Sequence, residues 1–342
     1  MKSVVTGGAG FIGSHLVDAL LELGHEVTVL DNLTTGRVEN LAHVKEHIRV
    51  RECDLGVDGD WASEFSEADW VFHLAALADI VPSIQNPRAY YESNVNGTFN
   101  VLQASHKAKI RRFIYVASSS SYGLPDIFPT PETANIRPQY PYALTKHLGE
   151  ELTLHWAQVY SVPALSLRFF NVYGPRSRTS GTYGAVFGVF LAQKLARKPF
   201  TVVGDGKQTR DFTFISDIVA ALICAAMSER SNRTYNVGSG ATVSVNRLVE
   251  LLGGEKIFIP KRPGEPECTF ADISRIQKEL DWHPLIAIEE GVGQLLEHID
   301  YWRAAPVWTP DTIADATRDW FRYLGDQDSP WAKYELFCWR QG

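Results

Sequence analysis

The stretch TGGAGFIGSHL, residues 6–16, follows the short β-branched run SVVTG and opens a segment that reads as a helix. Gly7, Gly10 and Gly13 recur at every third position, and Gly8, Gly10 and Gly13 also satisfy G-x-G-x-x-G. Glycine lets a backbone turn tightly and approach a pyrophosphate, whose charge the N-terminus of the following helix then holds. Alone the motif is moderate, because glycine turns also serve purely structural ends. The surrounding pattern strengthens it. SVVTG, EVTVLD, IRVREC, WVFHLAA, RRFIYVAS and ALSLRFF each read as a buried parallel strand, separated by stretches that read as crossover helices. This alternation predicts an α/β fold with a doubly wound parallel sheet, the Rossmann arrangement.

After Asn171 the regularity gives way to YGPRSRTSGTYG, VGDGKQTRDF and PKRPGEPE, interleaved with helices and short strands. Irregular polar segments around a scaffold are where substrate loops sit. YNVGSG, residues 235–240, reads as a late strand returning to the sheet. The expected division is a nucleotide-binding domain over residues 1–170 with a returning segment near 211–240, a discontinuous smaller α/β substrate domain over 171–300, and a tryptophan-rich extension over 301–342.

Composition narrows the partners. The 342 residues carry a formal net charge of −7, so there is no basic footprint for nucleic acid, and a small molecule is the better expectation. Cys53, Cys224, Cys268 and Cys338 lie far apart, with no C-x-x-C pair and no histidine at metal-ligand spacing; neither a disulfide framework nor a metal site is expected. The apolar run around IVAALICAAM is about half a membrane span. The N-terminus turns to glycine too early for a signal-peptide core, so the expectation is a cytoplasmic protein.

The second strand, EVTVLDN, ends on Asp31, eighteen residues beyond Gly13. A carboxylate there can accept both ribose hydroxyls and would repel a 2′-phosphate, which favours NAD over NADP, against which Arg37 nearby counts somewhat. Asp54, after the third strand, reads equally as an adenine contact or as a loop-capping aspartate. PYALTK, residues 141–146, sets Tyr142 and Lys146 four apart on one helix face. A phenol at its ordinary pKa is a poor base at neutral pH; a lysine ammonium favours the phenolate and makes Tyr142 a usable proton acceptor.

T-G-G-x-G-F-I-G, D-N-L, H-L-A-A, S-S-S-x-Y-G, Y-x-x-x-K, F-F-N-V-Y-G-P and R-D-F-x-x-x-x-D occur here in the order and spacing of the extended short-chain dehydrogenase/reductases. Within them, residues 1 to about 300 resemble the nucleotide-sugar epimerase/dehydratase group, and most of all the UDP-hexose and UDP-N-acetylhexosamine 4-epimerases. The resemblance implies a tightly held NAD and a nucleoside-diphosphate sugar. It places Gly7, Gly10, Phe11, Ile12, Gly13, Asp31, Asn32, Asp54, Leu55, Leu74, Ala75, Ala76, Ser93 and Phe170 along the cofactor. Tyr142 and Ser118 would bracket the sugar hydroxyl, and Lys146 would bond the nicotinamide ribose. Asn171, Arg210, Arg262 and Glu265 would hold the nucleotide diphosphate, the arginines through charge-assisted bonds. Family members also commonly dimerise through helices corresponding to about 88–107 and 141–160, so a homodimer is expected.

VASSSSYG, residues 116–123, separates the reactions open to this group. Ser118 falls on the family's hydroxyl-bonding position. The next two positions are typically Asp then Glu in sugar 4,6-dehydratases, and the second is typically Glu in uronate decarboxylases; here they are Ser119 and Ser120. A hydroxyl cannot supply the proton transfers that elimination asks of a carboxyl group. What remains needs only hydride transfer and one proton shuttle, and 4-epimerisation is that. Tyr142 as phenolate takes the C4′ proton through Ser118 while the hydride moves to NAD⁺; the 4-keto sugar turns over; the hydride returns to the opposite face. Substitutions at Ser119 and Ser120 are then expected to matter least. A reductase, a 2-epimerase, an unusual dehydratase or decarboxylase, and a non-catalytic NAD sensor are the alternatives.

Ala78 stands where some galactose epimerases carry lysine. Thr269, Ala185 and Val186 resemble N-acetylhexosamine epimerases at positions lining the sugar, although Thr269 and Ala185 read equally as small packing residues. His73 reads as a structural histidine. Arg176 and Arg178 read either as contacts to a substrate carboxylate or as solvated loop charges. In the final segment TPDTIADATRDWFRYL reads as a helix with Thr309 as N-cap, Pro310 at the first position, and Ile313, Ala316, Trp320 and Leu324 on one face.

Overall fold

The computed structural model describes residues 1–177 and 185–325. Arg178, Cys338, Trp331 and Trp339 lie outside the described residues. The six early strands form where the apolar runs predict them: β1 Lys2–Thr6, β2 Glu26–Asp31, β3 Ile48–Glu52, β4 Trp70–His73, β5 Arg112–Ser118 and β6 Ala164–Phe169. Together with the strand Arg233–Val237 they make one seven-stranded sheet in the order Arg233–Val237, β6, β5, β4, β1, β2, β3. Every pairing in it is parallel. The late return of YNVGSG to the sheet is thus observed.

Both faces of the sheet are buried, because successive residues of a strand point to opposite sides. Val5, Phe72 and Ile114 join one core with Leu16, Val17 and Leu20 of the helix Phe11–Glu22 and Ile218, Ala221 and Leu222 of the helix Ile215–Met227. Their neighbours Val4, Val71 and Phe113 join the other, with Val101 and Leu102 of the helix Gly97–Ala108 and Trp156 of the helix Pro141–Val159. The exception is β3, which sequence reasoning takes as buried. Arg49, Val50 and Glu52 are exposed, since β3 pairs only with β2 and closes the edge of the sheet. Charged side chains suit such an edge, where they discourage pairing with another chain. IVAALICAAM belongs to the helix Ile215–Met227, and among the described residues no helix is long and apolar enough to cross a membrane.

The chain order reverses at β1, which lies between β2 and β4. In an open parallel sheet this switch point leaves a crevice at the carboxyl ends of the strands. Beyond β6 the chain builds three small pairs: Asn171–Tyr173 with Phe212–Phe214, Phe200–Val203 with Lys256–Ile259, and Thr209–Arg210 with Val243–Ser244. Of their residues, Val172 and Tyr173 line the crevice. Thr309 caps the helix Pro310–Leu324 as expected, accepting from the Thr312 amide at 3.3 Å. Its buried face is Ile313, Thr317 and Trp320, the i, i+4, i+7 row, with Ala316 only half-buried.

Candidate active site

A cleft of about 410 Å³ opens at the switch point, and Gly7, Gly10, Phe11, Ile12, Gly13, Asp31, Asn32, Asp54, Leu55, Leu74, Ala75, Ala76 and Ser93 all line it. The glycine turn is shaped by close approach. Gly7 has φ +70°, and a Cβ there would stand 2.7 Å from the Ala75 amide nitrogen; a Cβ on Gly13 would collide with the Gly7 carbonyl. The helix Phe11–Glu22 starts at Gly10, with no side chain capping it and no acidic residue in its first turn. Its amide donors and the positive end of its dipole therefore face the cleft, a fit for a pyrophosphate.

Asp31 ends β2 with 7% of its surface exposed and accepts the amides of Ala9 at 3.0 Å and Leu33 at 2.9 Å. Burial raises its pKa, and these two amides oppose the shift. Such an acceptor-only group, aimed at the cleft edge, fits ribose hydroxyls. Asp54 serves both readings: it lines the cleft, and its Oδ1 accepts the Gly56 amide at 2.8 Å, closing its own loop. Phe170 lies behind the cleft, 7% exposed, with its ring 6.4 Å from that of Tyr122. Ala78 also lines the cleft.

The residues expected to be catalytic come from two neighbouring elements. Ser118 ends β5 and caps the short turn Ser119–Tyr122, while Tyr142 and Lys146 stand on the first turns of the helix Pro141–Val159. The Ser118 and Ser120 hydroxyls are 2.8 Å apart, and Ser118 Oγ also accepts the Ser120 amide at 3.2 Å. Burial raises the Tyr142 pKa, and both the Ser118 and the Ser120 hydroxyls act in the opposite sense. Ser120 acts the same way on Tyr140, whose ring stacks 6.3 Å from that of Tyr142. Ser120 is therefore a member of the hydroxyl network, whereas Ser119 is not among the groups that act on Tyr142. Lys146 is 4% exposed, with Nζ 4.5 Å from the centre of the Tyr115 ring. Burial lowers its pKa to about 7, and the carboxylate of Glu150 counteracts part of that fall.

Several supporting residues escape sequence reasoning. Glu150, 1% exposed, accepts Arg168 Nε at 3.0 and 3.1 Å and Ser166 Oγ at 2.7 Å. Its i+4 spacing from Lys146 was the available signal. Asn94 clamps the Leu74–Asp79 loop to the catalytic helix: it exchanges bonds with the Leu77 backbone at 2.8 and 3.0 Å and donates to Thr145 Oγ1 at 3.0 Å. His73 is structural, as expected; its two nitrogens pair with Thr6 Oγ1 at 2.7 Å and Thr98 Oγ1 at 2.9 Å, and burial lowers its pKa to about 3. One cluster, His147, Glu150 and Glu151, has metal-ligand types in reach, but Glu150 is already engaged by Arg168 and Ser166.

On the substrate side, Arg210 bonds Glu265 at 2.8 Å and Arg262 lies 3.8 Å from the other oxygen of the same carboxylate. Thr269 Oγ1 donates to Asn171 Oδ1 at 2.8 Å, joining two of the residues expected on the substrate side. Ala185 lines the cleft and Val186 begins the helix Val186–Leu195 beside it. Arg176 pairs with Asp18 of the helix Phe11–Glu22 at 2.7 Å.

With this geometry in view, similarity to known proteins decides the family. The profile of the NAD dependent epimerase/dehydratase family matches residues 3–238. The chain belongs to that family. A putative UDP-glucose 4-epimerase of Methanocaldococcus jannaschii is 35% identical over 302 residues, covering 86% of this chain and 96% of the relative. UDP-glucuronic acid decarboxylase 1 of Arabidopsis thaliana is 34% identical over 86% of this chain and 69% of its own length. Among solved structures, UDP-N-acetylglucosamine 4-epimerase from Methanobrevibacter ruminantium superposes with a TM-score of 0.82 at 33% identity, over 87% of this chain and 98% of that one. UDP-glucuronic acid 4-epimerase from Bacillus cereus, in complex with UDP-glucuronic acid and NAD, gives 0.81 at 30% identity, over 88% and 99%.

Proposed function

We propose that the protein is an NAD-dependent UDP-sugar 4-epimerase, an isomerase. The observation that carries this reading is the pairing of the Tyr142 phenol with a serine network at the end of β5, where no carboxyl group stands at either position that elimination would use. The glycine turn and the Phe11–Glu22 helix N-terminus hold the cofactor pyrophosphate, and Asp31 holds its adenosine ribose. Bound NAD⁺ supplies the chemistry of taking a hydride from C4 of the sugar and giving it back. Tyr142 accepts the C4 hydroxyl proton, with Ser118 bridging, and returns it at the end of the cycle. The Lys146 ammonium favours the phenolate. Arg210 and Arg262 anchor the diphosphate through charge-assisted bonds while the sugar turns between its two faces. Thr269 fixes Asn171 for the same ligand.

We propose with it a homodimer, acting in the cytoplasm. The helices Gly97–Ala108 and Pro141–Val159 expose Phe99, Leu144 and Val159, an apolar face of the kind that a second copy covers. Cys53, Cys224 and Cys268 are free thiols, as a reducing compartment keeps them. Incubation of the purified protein with UDP-glucose, UDP-N-acetylglucosamine and UDP-glucuronic acid tests the activity. The expected product is inverted at C4 with no net NADH. Release of CO₂, or a 4-keto-6-deoxy sugar, would refute the assignment.

A further inference from the structure

The match to the M. jannaschii relative takes in nearly all of that protein and leaves part of this chain outside it. The C-terminal helix Pro310–Leu324 lies beyond the segment that resembles the family, yet it packs onto the candidate site. Trp320, 5% exposed, donates from Nε1 to the Pro263 carbonyl at 2.7 Å. Its ring faces the Arg262 guanidinium at 5.3 Å. It also lies 6.4 Å from the ring of Tyr140, which in turn stacks on Tyr142. The preceding residue, Asp319, accepts from Gln85 at 2.8 Å, tying the helix to the segment Ile80–Gln85.

We infer that Trp320 is a positioning residue for the substrate diphosphate, holding Arg262 in place, and that the C-terminal helix forms an outer wall of the substrate site. The inference rests on the reading of Arg262 as a diphosphate ligand. A guanidinium on a loop that also holds Glu265, 3.8 Å away, has an alternative partner of its own. Stacking on an indole fixes the plane of the guanidinium, and the bond to Pro263 fixes the loop that carries it. The same ring bridges to Tyr140, so a single side chain joins the diphosphate loop to the catalytic helix. Without the helix that loop would have to order itself when ligand binds, and that ordering lowers affinity.

The test is UDP binding by calorimetry to the full chain, with steady-state kinetics on the UDP-sugar substrate. Trp320→Leu keeps apolar bulk under the loop and removes the π face and the indole donor. It should weaken UDP binding by about 3- to 30-fold, the range of a partly desolvated cation–π contact. KM should rise in parallel while kcat at saturation stays within about threefold. Trp320→Phe restores a ring and should recover most of the loss, which a merely structural role would not require. Arg262→Met should weaken UDP on its own, and Trp320→Leu added to it should cost nothing further. Unchanged UDP affinity in Trp320→Leu, or additivity in the double variant, would overturn the inference while leaving the substrate site intact. If Arg262→Met binds UDP like the wild type, the reading of the site fails first and the inference with it.

Discussion

Ser120→Ala tests the hydroxyl network most directly. Ser118 Oγ has one proton to give and two lone pairs to fill. The Ser120 amide at 3.2 Å and the Ser120 hydroxyl at 2.8 Å can occupy both lone pairs, which turns the Ser118 proton outward, toward the phenolate or the sugar oxygen. The Ser118 hydroxyl so oriented lowers the Tyr142 pKa that burial raises. Removing the Ser120 Oγ deletes one hydrogen bond between neutral groups, worth about 1 kcal/mol, and weakens one to a developing phenolate, for a combined effect of about 1–3 kcal/mol. That corresponds to about a 5- to 150-fold loss in kcat/KM near neutral pH. Because part of the effect acts through the phenol, the acidic limb of the pH profile should move to higher pH. The assay is kcat/KM for a UDP-sugar between about pH 5.5 and 9.5, with Ser119→Ala as the comparison, expected to stay near wild type. Equal behaviour of the two alanine variants would refute the argument, since the network distinguishes them by geometry alone.

Tyr142→Phe should lower turnover by about 10²–10⁴-fold, the usual effect of losing an acid/base group, while UDP-sugar binding survives; in D₂O the wild-type product should carry no deuterium at C5, as proton and mass spectra would show. Lys146→Met should move the acidic limb to higher pH, because the phenolate loses its cationic neighbour. Lys146 titrates near 7 when folded against an ordinary 10.5, so between those values the unfolded chain binds more protons and the stability contribution of this site rises with pH. Lys146→Met should therefore raise the urea midpoint more at pH 6 than at pH 10. Glu150→Gln, which leaves Arg168 buried without its carboxylate, should cost about 3–5 kcal/mol by denaturant titration, and Glu150→Leu with Arg168→Met should cost much less; a single-variant loss near zero would show that the pair makes no net contribution.

The parts of this protein that were legible in sequence are those written in local periodicity. A buried parallel strand is a continuous apolar run, so six strands and the returning seventh stand out, and a glycine turn between strand and helix or a tyrosine and lysine four apart carry their own spacing. What failed was whatever depends on the partner of a residue. IRVREC resembles its five fellow strands until the sheet order puts it at the edge. Thr269 meets Asn171 across 98 positions, Asn94 meets Thr145 across 51, and Trp320 meets Pro263 across 57. The place of Ser120 in the hydroxyl network is hidden for a subtler reason. The argument that a hydroxyl cannot replace a carboxyl group as an acid is sound, but it speaks only to elimination, and the short turn after β5 gives the same hydroxyl a place beside the base.

One feature of the catalytic helix explains how a lysine can be buried there and still act as a cation. Tyr142, Lys146 and Glu150 recur at four-residue intervals, so phenol, ammonium and carboxylate form a column along one helix face. The column continues across to β6, where Arg168 engages Glu150 and also donates to the Tyr122 hydroxyl at 2.7 Å. Each member is desolvated, and each charged one neighbours an opposite charge. Were Glu150 neutral, its carboxylate would no longer offset the burial of Lys146, and the ammonium would lose its proton more readily. Were Arg168 absent, Glu150 would itself be a buried carboxylate without its cation. The ion pair that anchors the helix to the sheet thus also sets the charge beside the base. Glu150→Gln should separate from an ordinary packing defect on that ground: along with the loss of stability it should move the acidic limb of kcat/KM in the same direction as Lys146→Met.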